Sequence, residues 1–251
     1  MSVALSYRLD GPEDAPVVVL GPSLGTTTEL FAPQIEALSQ RFRVVRYDLP
    51  GHGSSPDHAG ELAMEQLADG VVALLDELGT TRAHVGGVSL GGMIALTLAL
   101  RHPQRVDRLW GCCTSAAMPP ASAWAERIAT VGRDGTAASA TLERWFTAGF
   151  RERAPATVAV HQAMLESVAR AGYAACCAAI RDYDLRAELA QIAAPTVVVA
   201  GADDPATPPS HARLIADAVP GARLVVIDDA AHLANVEQAD AVTTALLEAL
   251  P

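Results

Sequence analysis

The sequence contains no lysine. All 18 of its basic residues are arginine, which excludes Schiff-base catalysis, a pyridoxal-phosphate site and a lysine-bearing phosphate loop, since each needs an ε-amino group. Positive charge is also scarce, because 29 acidic residues leave a formal charge of −11 at pH 7. A nucleic-acid or anionic membrane surface needs clustered cations, so neither partner is expected and a small molecule is. No apolar run approaches the roughly 18 residues of a membrane span. Residues 1–10 show no basic segment followed by an apolar one, and a cytoplasmic protein is expected. The four cysteines fall as neighbours, Cys112-Cys113 and Cys176-Cys177, without the C-x-x-C spacing of zinc or thiol-redox sites. They read as buried thiols, and no metal is expected. What is plentiful is apolar: hydrophobic residues make up 50% of the 251, enough for one large core.

Over residues 1–117, short β-branched runs alternate with longer amphipathic stretches, the pattern of parallel strands joined by helical crossovers. Strands are expected at about 4–8, 17–20, 43–48, 84–88 and 106–112, with helices at about 32–40, around Leu67 to Leu78, and at 89–101. Residues 118–190 break that pattern with alanine-rich helical sequence opened by Pro119-Pro120. This segment reads as a helical cap inserted into the core. It carries eight arginines and eight acids against 10 and 21 elsewhere, so it is the least anionic part of the chain. The sheet pattern resumes with strands at 195–200 and 223–227 and helices at 209–218 and 236–250. The expected fold is α/β, a mostly parallel sheet flanked by helices, with a core of 1–117 and 191–251 and a cap of 118–190.

Gly87-Val88-Ser89-Leu90-Gly91-Gly92 falls between an expected buried strand and an expected helix. A serine at so sharp a turn takes a strained backbone, and small residues at both flanking positions let the turn pack. The hydroxyl is then exposed at the carboxyl edge of the sheet, with the Leu90 N–H available as an oxyanion donor. Standing alone, the stretch also fits an ordinary glycine-rich turn. A serine hydroxyl attacks only when a base takes its proton, so a histidine and an orienting carboxylate are required. His232, in a polar turn after the last strand, is the candidate base. His102 reads as a helix end, His52 and His84 as structural, and His58, His161 and His211 as solvated or capping. The acid is drawn from the turn after the preceding strand. Asp204 is the first choice and Asp203 the alternative, while Asp228 and Asp229 read more readily as turn residues. The loop Gly21-Pro22-Ser23-Leu24-Gly25-Thr26 offers a second oxyanion donor in the Leu24 N–H, and residues 48–54 shape the floor beneath the serine.

In this order the pieces resemble the α/β-hydrolases over nearly the whole chain. More narrowly, Ser23-Leu24-Gly25-Thr26, residues 48–54 and 87–92, Arg144-Trp145-Phe146-Thr147, Gly172-Tyr173 with Cys176-Cys177, and residues 231–237 resemble the 3-oxoadipate enol-lactonases of aromatic-acid catabolism. The resemblance implies that Ser89, His232 and Asp204 open an enol lactone to 3-oxoadipate through an acyl-enzyme, without a cofactor. Leu24 and Leu90 would hold the developing oxyanion. The substrate implied is a lactone or ester carrying a carboxylate, for which a cap arginine is the expected partner. Arg133 and Arg144 are the candidates, with Trp124 and Trp145 lining the pocket. Solvated helix faces for the arginines and plain core positions for the tryptophans are the competing readings. Two other functions stay open: a different serine hydrolase on the same frame (a carboxylesterase, a perhydrolase or a carbon–carbon bond hydrolase), and a binding protein that retains the triad.

Overall fold

A segment such as Val17 to Leu20, apolar on both faces, is stable only between two layers of helices. In the computed structural model, which describes residues 3–136 and 138–250, it forms most of β2 (Val17–Gly21) in a seven-stranded sheet. The sheet order is β1-β3-β2-β4-β5-β6-β7, with β1 (Tyr7–Asp10), β3 (Arg43–Tyr47), β4 (Ala83–Val88), β5 (Val106–Cys112), β6 (Thr196–Gly201) and β7 (Arg223–Ile227). Every pairing is parallel except that of β1 with β3. The chain steps from β2 outward to β3 and then crosses to β4 on the other side, so the strand order reverses between β2 and β4. Ligands of open α/β sheets bind at such a reversal, beyond the carboxyl ends of the strands. The loops after β2 and β4 carry Leu24 and Ser89.

The helices of the core are α1 (Ala32–Leu38), α2 (Met64–Glu77) and α3 (Leu90–Arg101). Between β5 and β6 run α4 (Ala121–Asp134), α5 (Ala138–Trp145), α6 (Ala148–Arg153), α7 (Pro155–Ser167) and α8 (Arg170–Arg181). After β6 come α9 (Pro209–Ala218), α10 (Ala234–Glu237) and α11 (Ala239–Ala249). Leu90 through Ala99 of α3 are all buried, as expected of a helix covered on every side. All four cysteines are buried free thiols. Among the described residues no helix is long and apolar enough to cross a membrane. Residues 1, 2, 137 and 251, which include the outer bounds expected for the core, lie outside the described residues.

Two expectations shift. The first strand is Tyr7–Asp10 rather than 4–8, because its register against β3 pairs Tyr7 with Tyr47 and Asp10 with Val44. The last helix is two helices, broken at Gln238, whose backbone (φ −126°, ψ 58°) leaves the helical region. Between β5 and β6 the described residues form α4 to α8 and a short 3-10 turn at Leu189–Gln191, with a bridge joining Ala117 to Asp184.

Candidate active site

Ser89 sits between β4 and α3 with φ 54° and ψ −114°, a left-handed conformation that a side chain rarely adopts. Its neighbours hold it there. The Ser89 N–H donates to the Cys112 carbonyl at 2.9 Å, and Thr114 Oγ1 and the Met93 N–H donate to the Ser89 carbonyl at 2.7 and 3.0 Å. The turn is tight because β2, β4 and α3 meet backbone to backbone. A Cβ on Gly91 would stand 2.0 Å from the Gly21 carbonyl oxygen, and one on Gly87 would stand 2.4 Å from it. The Leu90 N–H opens α3, where helix geometry provides no internal acceptor, and neither it nor the Leu24 N–H has a backbone acceptor among the described residues.

Asp204 and His232 follow β6 and β7. The His232 Nδ1–H donates to Asp204 Oδ2 at 2.9 Å, which leaves Nε2 as the ring's lone-pair nitrogen. Thr207 Oγ1 donates to the same oxygen at 2.7 Å, while the Ala206 and Thr207 N–H groups donate to Oδ1 at 2.8 and 3.1 Å. Burial works to raise the Asp204 pKa. The His232 ring and the Thr207 hydrogen bonds outweigh it and hold the carboxyl at about 2. Asp203 points away: it is exposed, and its N–H donates to the Ala230 carbonyl. Asp228 and Asp229 are exposed turn residues.

Ser89 and His232 open onto one cavity of about 260 Å³, lined also by Leu24, Trp124, Arg127, Arg144 and Trp145. No hydrogen bond joins Ser89 to His232 among the described residues. Such contacts commonly tighten only when substrate is bound. Trp145 lines the cavity and is also a core residue, only 3% exposed. Arg133 corrects an expectation: it is solvent-exposed, pairs with Asp134 at 3.0 Å and lies outside the cavity lining. Arg127, which sequence reasoning missed, lines the cavity instead. Residues 127 and 133 lie about 120° apart around a helix, whereas 124 and 127 share a face, so Trp124 at the cavity was the available signal. His161 is a second correction. It is buried, not solvated, with Nδ1 at 2.8 Å from the Thr157 carbonyl and its ring edge-on to Phe146.

Arg127 and Arg144 are the two arginines that line this cavity. Neither Arg127 nor Arg144 has an acidic partner within salt-bridge distance among the described residues. Arg127 donates to the Tyr173 hydroxyl and lies 5.3 Å from the ring centres of Trp124 and Tyr173. Arg144 donates to Thr141 Oγ1 at 3.3 Å, and burial, followed by the charge of Arg127, lowers its pKa. Two like charges facing an apolar cavity are stabilised by an anion between them.

The turn bearing His232 is tied to the end of α5. The His232 and Leu233 N–H groups donate to the carbonyls of Arg144 and Trp145 at 3.4 and 2.9 Å. Glu237, buried, accepts from the Ala231 N–H at 2.9 Å, from the Thr147 N–H at 3.1 Å and from the Thr147 hydroxyl.

The buried groups of the site make stability depend on pH. Burial pushes the fully enclosed His52 ring down to about 4, against weaker opposing effects of its bond to Pro50 and of Asp57. The unfolded chain takes this proton as pH falls through about 6.5, and the folded chain only near 4. Stability should therefore drop across that window, by about 3 kcal/mol from this group. Asp204 protonates near 3.8 when unfolded and at about 2 when folded, so its contribution is lost between those values. Urea unfolding at pH 7.0 and 4.5 is expected to show the loss, with a smaller difference in His52→Gln.

A serine on a strained strand-to-helix turn, with a carboxylate-bound histidine from the end of the sheet opening onto its cavity, is the frame of an α/β-hydrolase. The chain belongs to that family: the family model for the alpha/beta hydrolase fold matches residues 16–131 and 157–239. Within the family it is 35% identical to 3-oxoadipate enol-lactonase 2 of Acinetobacter baylyi, covering 95% of this chain and 90% of that one. The solved enol-lactonase from Burkholderia xenovorans LB400 superposes with a TM-score of 0.96 at 40% identity, over 98% and 96% of the two chains. A proposed carbamate hydrolase, RutD of Agrobacterium fabrum, is 32% identical over 98% of each chain.

Proposed function

We propose that the protein is a serine hydrolase that opens 3-oxoadipate enol-lactone to 3-oxoadipate. The observation that carries this reading is the joint presence of Ser89, His232, Arg127 and Arg144 around one largely apolar cavity, the two arginines lacking any acidic partner among the described residues. Residues 118–190 act as the cap that supplies those arginines. His232 Nε2 takes the Ser89 proton as Oγ attacks the lactone carbonyl, and Asp204 stabilises the imidazolium that forms. The Leu24 and Leu90 N–H groups receive the oxyanion. The ring oxygen takes that proton from the His232 imidazolium and leaves as an enol still tethered to the acyl chain. Its ketonisation removes the group that could close the ring again. His232 then activates water, and the acyl-enzyme is released as the dicarboxylate.

The test is turnover of the enol lactone, generated in situ, beside p-nitrophenyl acetate, which has no carboxylate. A strong preference for the simple ester would overturn the lactonase reading and leave a general esterase. Arg127→Gln and Arg144→Gln are each expected to raise KM for the lactone about 10- to 100-fold, the value of a charge-assisted hydrogen bond. Hydrolysis of p-nitrophenyl acetate should change less than threefold. The RutD relatives support a second reading, carbamate hydrolysis on the same machinery. It would be favoured if a carbamate were turned over faster than the lactone.

A further inference from the structure

His52 lies below the cavity rather than in its wall, and its ring is completely enclosed. Both nitrogens are used. The Nδ1–H donates to the Pro50 carbonyl at 2.9 Å, and Nε2 accepts the Gly25 N–H at 3.0 Å. A protonated ring has no lone pair, so this arrangement requires the neutral form with the proton on Nδ1.

The group that Nε2 holds is the middle of a turn. The Thr26 N–H donates to the Ser23 carbonyl at 3.0 Å, and Gly25 stands third in the turn with φ +88°, the mark of a type II turn. Types I and II differ by a flip of the central peptide, here that between Leu24 and Gly25. A bond to the Gly25 N–H fixes that peptide in one orientation. The Leu24 N–H belongs to the same turn. Asp48 secures the flanks by accepting the Thr28 N–H at 2.8 Å and the Ser54 N–H at 2.9 Å, but it does not touch the turn's tip. The ring is itself oriented by stacking on Tyr173 of α8, with centres 6.2 Å apart and planes 16° apart, and Tyr173 accepts from Arg127.

We propose that His52 is a positioning residue for the hydrolysis: by accepting the Gly25 N–H it holds the Leu24 N–H where the oxyanion forms, without touching substrate. The inference rests on the acyl-enzyme reading above. Burial pushes the ring down to about 4, so it is neutral wherever the enzyme works, and the titratable groups that face it are Asp57 from the same loop and Tyr173 from the inserted helices.

Two substitutions separate the two bonds. In His52→Gln the amide oxygen lies near the former Nε2 and can accept the Gly25 N–H, while the bond to Pro50 is lost. In His52→Asn the amide lies near the former Nδ1 and can donate to Pro50, while the bond to Gly25 is lost. A merely structural histidine would be harmed equally by both. The proposal expects His52→Asn to lower kcat for p-nitrophenyl acetate about 100-fold, the effect of losing one oxyanion donor. KM should stay within a few-fold of wild type, and His52→Gln should retain kcat within about fivefold. Labelling by a fluorophosphonate, whose adduct needs the oxyanion donors, should slow in step with kcat. If His52→Asn does not fold, His52→Leu serves as the variant unable to accept. Equal kcat in the glutamine and non-accepting variants, or a change confined to KM, overturns the proposal. Wild-type protein that neither turns over ester nor takes the label overturns the hydrolase reading instead.

Discussion

Ser89→Ala is expected to lower kcat on the enol lactone by about 10⁶-fold, and His232→Ala by a similar factor, because the two act as one unit. The double variant should be no worse than either alone. Asp204→Asn should be milder, near 10⁴-fold, since it leaves the imidazole in place but removes the charge that stabilises its protonated form and selects its tautomer. The geometry explains that ordering: Asp204 Oδ2 lies 2.9 Å from His232 Nδ1 and the carboxylate is held by three further donors. Single-turnover kinetics with purified variants provides the measurement. Full activity in any of the three would remove that residue from the mechanism. Unchanged lactone affinity in Ser89→Ala is compatible with catalysis; a wild type that binds the lactone without turnover would favour a binding protein.

Gly91→Ala is expected to cost more than 4 kcal/mol and to give largely insoluble protein, because the clash cannot be relieved by rotating a side chain. The new methyl would lie 2.0 Å from the Gly21 carbonyl oxygen and 2.2 Å from its carbon. Both are backbone atoms, one from the strand beneath the site and the other fixed to it. Any soluble fraction should melt at least about 10 °C below wild type. Gly132→Ala is the control. A Cβ there meets nothing within 4 Å in the last turn of α4, so helix propensity alone predicts a neutral or slightly stabilising change. Equal melting temperatures for the two variants would show that the close approach at the nucleophile is not a packing constraint.

The sheet was legible where burial leaves a strong mark. Segments such as Val197 to Ala200, enclosed on both faces, have no alternative as short apolar runs between turn residues. The first strand lacked that mark because it is an edge with half its residues exposed, Leu9 at 42% among them, and only pairing to β3 defines it. The break at Gln238 has no glycine or proline to announce it. Ser89, His232 and Asp204 could be read because each follows a core strand, and strand order restricts where such turns meet. Of the two arginines at the cavity, Arg144 was among the candidates and Arg127 was not. Arg133 and Arg127 stand on the same helix in similar surroundings of sequence, and which one faces inward depends on the rotation of α4 about its axis, a property of packing.

The bonds between the His232 turn and the end of α5 bear on how substrate can enter. A roof that swung away as a rigid flap would have to part the Leu233–Trp145 bond and expose the Glu237 carboxylate, or else drag the imidazole off Asp204. Only the second course would disturb the histidine–carboxylate pair, so the imidazole keeps its register only while the strap to α5 either holds or breaks cleanly.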